Sequence, residues 1–418
     1  MIYMKKHSAL FLLSLTLTFT ACKKEGGKAQ GNDEKYESKL PNYGNVDLNK
    51  VFSPEDSKLA DKASVVRTID NYYQHVWEKG DLSGGVLVAK GDDILYEKYR
   101  GFARENNTVP ITQDVAMHVA SVSKPITAMA VMKLIEAGKL KLNEPLTTLF
   151  PGFPYPEITV EMLLKQRSGL PKYEHFLEEA KVPKEKFISN QFILDFIVKN
   201  KPELARKPDT GFMYCNTNYA LLALVVEKTT QMAFPEAMQE IVFKPLKMKH
   251  SFIFQEKDIS TAARSFYNNG RRMFPMDYLD LIYGDKNVYT TPRDLYNFSK
   301  ALFSENFLKP ELKNLIFQPY SNEKAGINNY GIGFRMKIFD NGEKLTYHNG
   351  WWHGSNAVFG HLLKSKVTII AIGNKYSSRV YSTLALSGLF EDFPLEKERL
   401  SKELTRLPVD EKPSDAGE

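Results

Sequence analysis

Between residues 57 and 78, apolar side chains recur at helical spacing (Leu59, Val65, Val66, Ile69, Tyr73, Val76), which predicts a surface helix. The pattern then changes. Residues 84–89 form a short apolar run, Gly91-Asp92-Asp93 signals a turn, and 94–99 are β-prone, so this stretch predicts a hairpin. A helix is expected from about Ser121 to Gly138, a typical stop residue. Its interior is Ile126, Met129, Ala130, Met132, Leu134 and Ile135, apolar nearly all round, so it should be buried on most sides.

Residues 151–324 read as mostly helical, with 219–228 and 293–303 the clearest segments. From Tyr330 four successive strands are expected at 330–339, 344–348, 356–362 and 367–372, then an apolar helix at 380–390. The polar stretch after Glu398 reads as loose. Strands therefore lie at both ends of the body and helices between them. The expected fold class is α/β (α+β): an antiparallel sheet built from both chain ends, flanked by helices, with an inserted mostly helical lobe. The boundaries that follow are 51–150 and 325–400 for the α/β lobe, 151–324 for the helical lobe and 401–418 for a polar tail. A cleft between lobes is a favoured place for a ligand.

Composition narrows the function classes. The 418 residues are 43% hydrophobic and 25% charged, as in ordinary globular proteins. Net charge is only +6, from 56 basic and 50 acidic residues spread along the chain, so nucleic acid is not an expected partner. No repeat, phosphate-cradling Gly-rich loop or metal-type Cys/His cluster is visible, and neither a cofactor nor a metal is called for. Two cysteines, Cys22 and Cys215, offer no disulfide framework.

The start of the chain reads as a targeting segment. Lys5, Lys6 and His7 precede an apolar run over 8–19, too short to span a bilayer, and Thr20-Ala21 precede Cys22. Phe19-Thr20-Ala21-Cys22 resembles a bacterial lipobox, with Phe19 standing where Leu or Val is usual. The resemblance implies a lipoprotein-type signal peptide over 1–22, lipidation at Cys22, and an exported protein held by its lipid on a periplasmic or cell-surface face. Plain secretion with cleavage near Ala21 is the alternative. Residues 23–50 read as a flexible linker, being almost free of apolar groups up to Ser38.

Three short motifs carry the candidate chemistry. Ser121 and Lys124 are three apart on a predicted helix and so share a face. A serine hydroxyl needs a base to act as a nucleophile, and an apolar flank suits a lysine with that task. Ser121 also reads as a plain N-cap. Ser321 and Lys324 have the same spacing in a polar stretch with no buried helix behind it, which marks them as chance. The second motif is Tyr214-Cys215-Asn216, after a Pro208-Asp209-Thr210-Gly211 turn and before an apolar helix. The third is His348-Asn349-Gly350 at a strand end, followed by Trp351 and Trp352. Alone, a strand-end histidine is more often structural than catalytic.

In this order the three motifs resemble the signature of the penicillin-recognising serine hydrolases, in particular the branch with class C β-lactamases, D-Ala-D-Ala carboxypeptidases and related esterases. The similarity runs from about residue 65 to 390. It includes the blocks Ala120-Ser121-Val122-Ser123-Lys124-Pro125, Leu134-Ile135-Glu136-Ala137-Gly138-Lys139-Leu140, Leu163-Leu164-Lys165-Gln166-Arg167-Ser168-Gly169-Leu170 and Tyr289-Thr290-Thr291-Pro292-Arg293-Asp294-Leu295. Three positions depart from the pattern. Gln166 stands where the family often has His, His348 where β-lactamases usually carry Lys, and Asn349 where Thr or Ser commonly follows.

The resemblance implies a β-lactamase/transpeptidase-like fold and a division of labour. Ser121 attacks a carbonyl, Lys124 takes or holds the proton, Tyr214 passes a proton to the leaving group, and Asn216 orients Lys124 and the acyl chain. His348, Asn349 and Gly350 line the opposite wall, and the N–H groups of Ser121 and Trp351 form the oxyanion hole. Lys124 and Tyr214 both stand as the base. The expected substrate is a small molecule or a peptidoglycan-type peptide. A partly charged His348, with Asn349 and the two tryptophans, favours esters or D-residue peptides over β-lactams. The alternatives are a β-lactamase, a penicillin-binding receptor that acylates without turnover, an inactive scaffold, and a Cys215–His348 thiol hydrolase. On the lipobox, wild-type protein should partition into detergent or membranes and Cys22→Ser should not; equal partitioning of the two would leave only plain secretion.

Overall fold

The hairpin expected at 84–99 forms as strands β1 (Gly84–Lys90) and β2 (Asp93–Arg100). The computed structural model describes residues 46–78 and 82–405. The leader, Cys22, most of the linker and the last residues of the tail lie outside them. Further strands are β3 (Met117–His118), β4 (Phe252–Ile253), β5 (Val288–Thr290), β6 (Asn328–Tyr330), β7 (Arg335–Ile338), β8 (Lys344–Trp352), β9 (Ser355–Leu362) and β10 (Val367–Gly373). Seven of them make one antiparallel sheet in the order β2-β1-β10-β9-β8-β7-β6, and β3-β5-β4 make a small second one. β1 and β10 are neighbours, so the two ends of the body meet inside one sheet, as the strand pattern predicts.

Both faces of that sheet are covered. Along β1, Leu87 and Ala89 pack into one core while Val86 and Val88 pack into the other; along β10, Ile370 and Ile372 face one core, Ile369 and Ala371 the other. This alternation explains why these strands are apolar throughout rather than striped. One core holds the Ser123–Glu136 helix and the inserted helices, including Asn216–Thr230. The other holds Ile69, Tyr72 and Tyr73 of the first helix together with Leu384 and Leu400 near the C-terminus.

Several boundaries differ from the sequence reading. The body begins before Val51, because Val46 and Leu48 are buried. The first helix is shorter, Lys62–Tyr73, followed by a π-helical turn. The segment 330–339 is two short strands rather than one. It breaks because Gly331 N–H bonds to the Phe334 carbonyl, and Gly333, at φ +76°, lies so close to the Ser123–Glu136 helix that a Cβ would meet Ala128 Cβ at 2.9 Å. The helix expected at 380–390 is one α turn, Arg379–Ser382, continued by 3-10 turns. The stretch after Glu398 is not loose at its start: helix Pro394–Thr405 buries Leu400, while its Glu396 pairs with Lys337.

Three buried histidines give this core a pH signature. Burial pushes His118 and His361 down to about 3, and burial, Arg335 and Lys124 push His348 well below its ordinary value. They stay neutral when folded, whereas the unfolded chain binds a proton at each below about pH 6.5. Stability present above that pH is therefore lost as pH falls, by about 1.4 kcal/mol per pH unit for each histidine. Urea unfolding between about pH 7 and pH 5 should show this slope, and His361→Gln should remove one share; a flat profile would contradict it.

Candidate active site

Ser121 sits on a turn held from several sides. After β3, Val119 N–H bonds to the Val288 carbonyl, and Ala120 takes a left-handed φ of +47°, unusual for a residue with a Cβ. A 3-10 turn over Ala120–Val122 leads into the Ser123–Glu136 helix, and Ser123 Oγ accepts from Val288 N–H at 3.0 Å. Ser121 is thus not an N-cap of the α-helix. It is half-buried and opens on a cleft of about 790 Å³.

Lys124, one turn on, is fully buried. Its Nζ donates to Ser121 Oγ at 3.1 Å, Asn216 Oδ1 at 2.8 Å and the Asp285 carbonyl at 2.9 Å. Three acceptors match the three N–H bonds of an ammonium, which makes burial of the charge tolerable. The Tyr214 ring lies 4.9 Å from the same Nζ.

Cys215, extended at φ −143°, ψ 123°, is the N-cap of helix Asn216–Thr230, with Tyr214 before it and Asn216 opening the helix. Alternation sends Tyr214 and Asn216 into the cleft and Cys215 to the opposite side. Cys215 is buried, its thiol on the Pro171 carbonyl and pushed up to about 11 by burial. It is no nucleophile, and the thiol reading falls. Gln166 has a role of its own: its Oε1 accepts from Cys215 N–H at 2.9 Å and from Asn218 Nδ2 at 2.6 Å, holding the loop in place.

The third motif divides. Asn349, Gly350 and Trp351 line the cleft. At Gly350 a Cβ would fall 2.1 Å from the Val119 carbonyl oxygen and 3.1 Å from Ser121 N, so only glycine lets β8 run this close to the Ser121 turn. Trp351 is 64% exposed at the cleft mouth, with Nε1 on the His353 carbonyl, whereas Trp352 is tied inward to Asp280 at 2.7 Å. His348 is different. It is fully buried, does not line the cleft, and donates from Nδ1 to the Asn349 carbonyl at 2.8 Å. Burial and nearby Arg335 and Lys124 keep it neutral, which corrects the expectation of a partly positive His348.

The cation on that wall is Arg335, which the sequence reading missed. It stands on β7 opposite Tyr347 of β8, and its guanidinium carbon lies 4.6 Å from the Tyr214 ring centroid. The available signal was strand alternation: Arg335 sits between the buried Phe334 and Met336, and so shares neither's face.

With this geometry in view, comparison with known proteins is decisive for the family. The family model described as Beta-lactamase matches residues 69–385. The chain belongs to the β-lactamase family. It is 27% identical to penicillin-binding protein 4* of Bacillus subtilis (strain 168) over 333 residues, 76% of this chain and 74% of that one. Among solved structures, a penicillin binding protein from Bacillus halodurans superposes with a TM-score of 0.67 at 25% identity, covering 76% of this chain and 98% of that one. D-amino acid amidase from Ochrobactrum anthropi SV3 shares the fold, with a TM-score of 0.63 at 21% identity over 82% of this chain and 99% of that one. This β-lactamase-family protein is a serine hydrolase, with penicillin-binding-protein-like architecture.

In this β-lactamase-family hydrolase, Lys124→Arg keeps the charge but puts a planar fork where a point donor bonds three acceptors. The variant should fold and lose about 100-fold or more in kcat/KM, the scale of general acid–base catalysis. Retention of more than a tenth of wild-type activity would remove Lys124 from the proton-transfer path.

Proposed function

We propose that the protein is an exported hydrolase that forms an acyl-enzyme at Ser121 on D-amino-acid-type peptides, carboxypeptidase-like, and on small esters. The observation that carries this is one wall of the cleft holding the Ser121–Lys124–Asn216 cluster while Arg335 stands beside Tyr214. Ser121 Oγ attacks the carbonyl carbon as its proton passes to an unprotonated member of the hydrogen-bonding set formed by Lys124 and Tyr214. The N–H groups of Ser121 and Trp351 take the oxyanion, each contributing about 3 kcal/mol. Tyr214 protonates the leaving amine, and water then cleaves the ester.

Arg335 changes the substrate argument. A weak cation at His348 would have disfavoured substrates bearing a carboxylate. A guanidinium is a permanent cation with a bidentate fork, suited to the terminal carboxylate of a peptide. A β-lactam carries a similar carboxylate, so charge alone does not rank the two. The ranking toward D-residue peptides draws support from the penicillin-binding and D-amino acid amidase names among the relatives, and from Asn349 in place of a hydroxyl. Export and lipid attachment at Cys22 belong to the same proposal, placing the enzyme where peptidoglycan peptides occur.

The test compares kcat/KM for a peptide ending in D-Ala-D-Ala, a short nitrophenyl ester and a chromogenic cephalosporin. Arg335→Ala should cost the peptide roughly 10- to 100-fold, the worth of a charged hydrogen bond, and leave the ester within about threefold. A wild-type cephalosporin rate far above the other two would instead favour a β-lactamase, and a burst without turnover on all three would favour a receptor.

A further inference from the structure

Lys124 depends on two carbonyl oxygens, and neither is left to itself. Asn216 Oδ1 is aimed at Lys124 because the other end of the same amide, Nδ2, donates to Glu174 Oε1. Asp285, whose backbone carbonyl is the second acceptor, has its side chain held by Tyr173: the Tyr173 hydroxyl donates to Asp285 Oδ2 at 2.8 Å. Tyr173 and Glu174 are consecutive residues at the start of a short helix, Tyr173–Glu179. Thr217 Oγ1 accepts from Tyr173 N–H at 2.8 Å, tying that start to the residue after Asn216.

Behind Asp285 lies a second buried cation. Lys286 donates to the Tyr173 hydroxyl, lies 3.4 Å from Asp285 Oδ2, and sits 4.5 Å above the Trp352 ring. The side chains of Lys286 and Asp285 are 3% and 1% exposed. A buried ion pair is poor value for stability alone, because desolvation of both charges offsets their attraction. Its placement one residue from the carbonyl that receives Lys124 gives it a different use.

We infer that Tyr173 and Glu174, with Lys286, are positioning residues for Lys124, each of the first two bracing one of its two carbonyl acceptors. This rests on the Ser121 chemistry proposed above. The groups facing Lys124 are Tyr214 and Tyr219, with rings at 4.9 and 5.8 Å, Glu174 through Asn216, and the Asp285–Lys286 pair. From the sheet side, His348 and Arg335 complete the set. Glu174 is the anion joined to Lys124 through the Asn216 amide.

The test measures the labelling of Ser121 by a small fluorophosphonate against pH, with the maximal rate separated from the binding constant of the reagent. Glu174→Gln keeps an acceptor for Asn216, so the plateau stays within about threefold. Glu174→Ala loses that acceptor, and the plateau falls about tenfold, the effect of one lost hydrogen bond, which the Gln variant rescues. Tyr173→Phe, which is isosteric, lowers the plateau by a similar factor. The inference is overturned if folded Glu174→Ala and Tyr173→Phe superpose on the wild-type profile, or if only the binding constant moves, which would make Glu174 a substrate contact. Absence of wild-type labelling at Ser121 is a separate failure, that of the proposed function.

Discussion

A lysine ammonium with no exposed surface must find an acceptor for each of its protons, and this requirement organises the site. Leaving Lys124 unpaired would cost several kcal/mol, enough to push the proton off or the side chain out. The three acceptors come from three parts of the chain: Ser121 from the turn that leads into the helix of Lys124, Asn216 from the inserted helical segment, and Asp285 from the loop before β5. One charge therefore fixes the relative placement of elements 161 residues apart in sequence. The bond to Ser121 Oγ is a consequence of the same pairing.

The sheet supplies the other half of the arrangement. β8 is interior to a seven-stranded sheet: residues 344–347 pair with β7, and Thr346–Trp352 pair with β9, so its last residues reach the cleft with one edge held by β9. Gly350 lets that strand approach Ser121 to backbone distance, and the Tyr381 hydroxyl secures the Gly350 carbonyl at 3.0 Å. Arg335 arrives on the neighbouring strand. The buried lysine stands at one side of the cleft and the partly buried Arg335 guanidinium at the other, with Lys172 and Glu174 also on the cleft lining.

Much of this was legible in the sequence for physical reasons. Near-uniform apolar runs marked β1, β9 and β10, because both faces of those strands are buried, while the turn signal and β-prone residues marked the edge strand β2. The all-round apolar character of the Ser123–Glu136 helix announced a central helix, and spacing alone put Ser121 beside Lys124. What the sequence concealed were features set by tertiary contact. The break at Gly331–Phe334 comes from packing against another helix. Helix Pro394–Thr405 is polar enough to read as a tail, and its anchor is Leu400. His348 looked like a cation because its type permits charge; burial removed it. Arg335, Glu174 and Tyr173 belong to no motif, and their roles depend on neighbours brought together only by the fold.

The central claim is that Ser121 is the nucleophile and acts only through this hydrogen-bonded cluster. The most direct measurement is intact-mass and peptide mapping of the covalent adduct formed by a fluorophosphonate on wild type and Ser121→Ala. The account predicts one adduct per wild-type chain, on Ser121, and none on Ser121→Ala, with hydrolysis lost in parallel. An adduct on another residue such as Cys215, or hydrolysis that survives in Ser121→Ala, would contradict it.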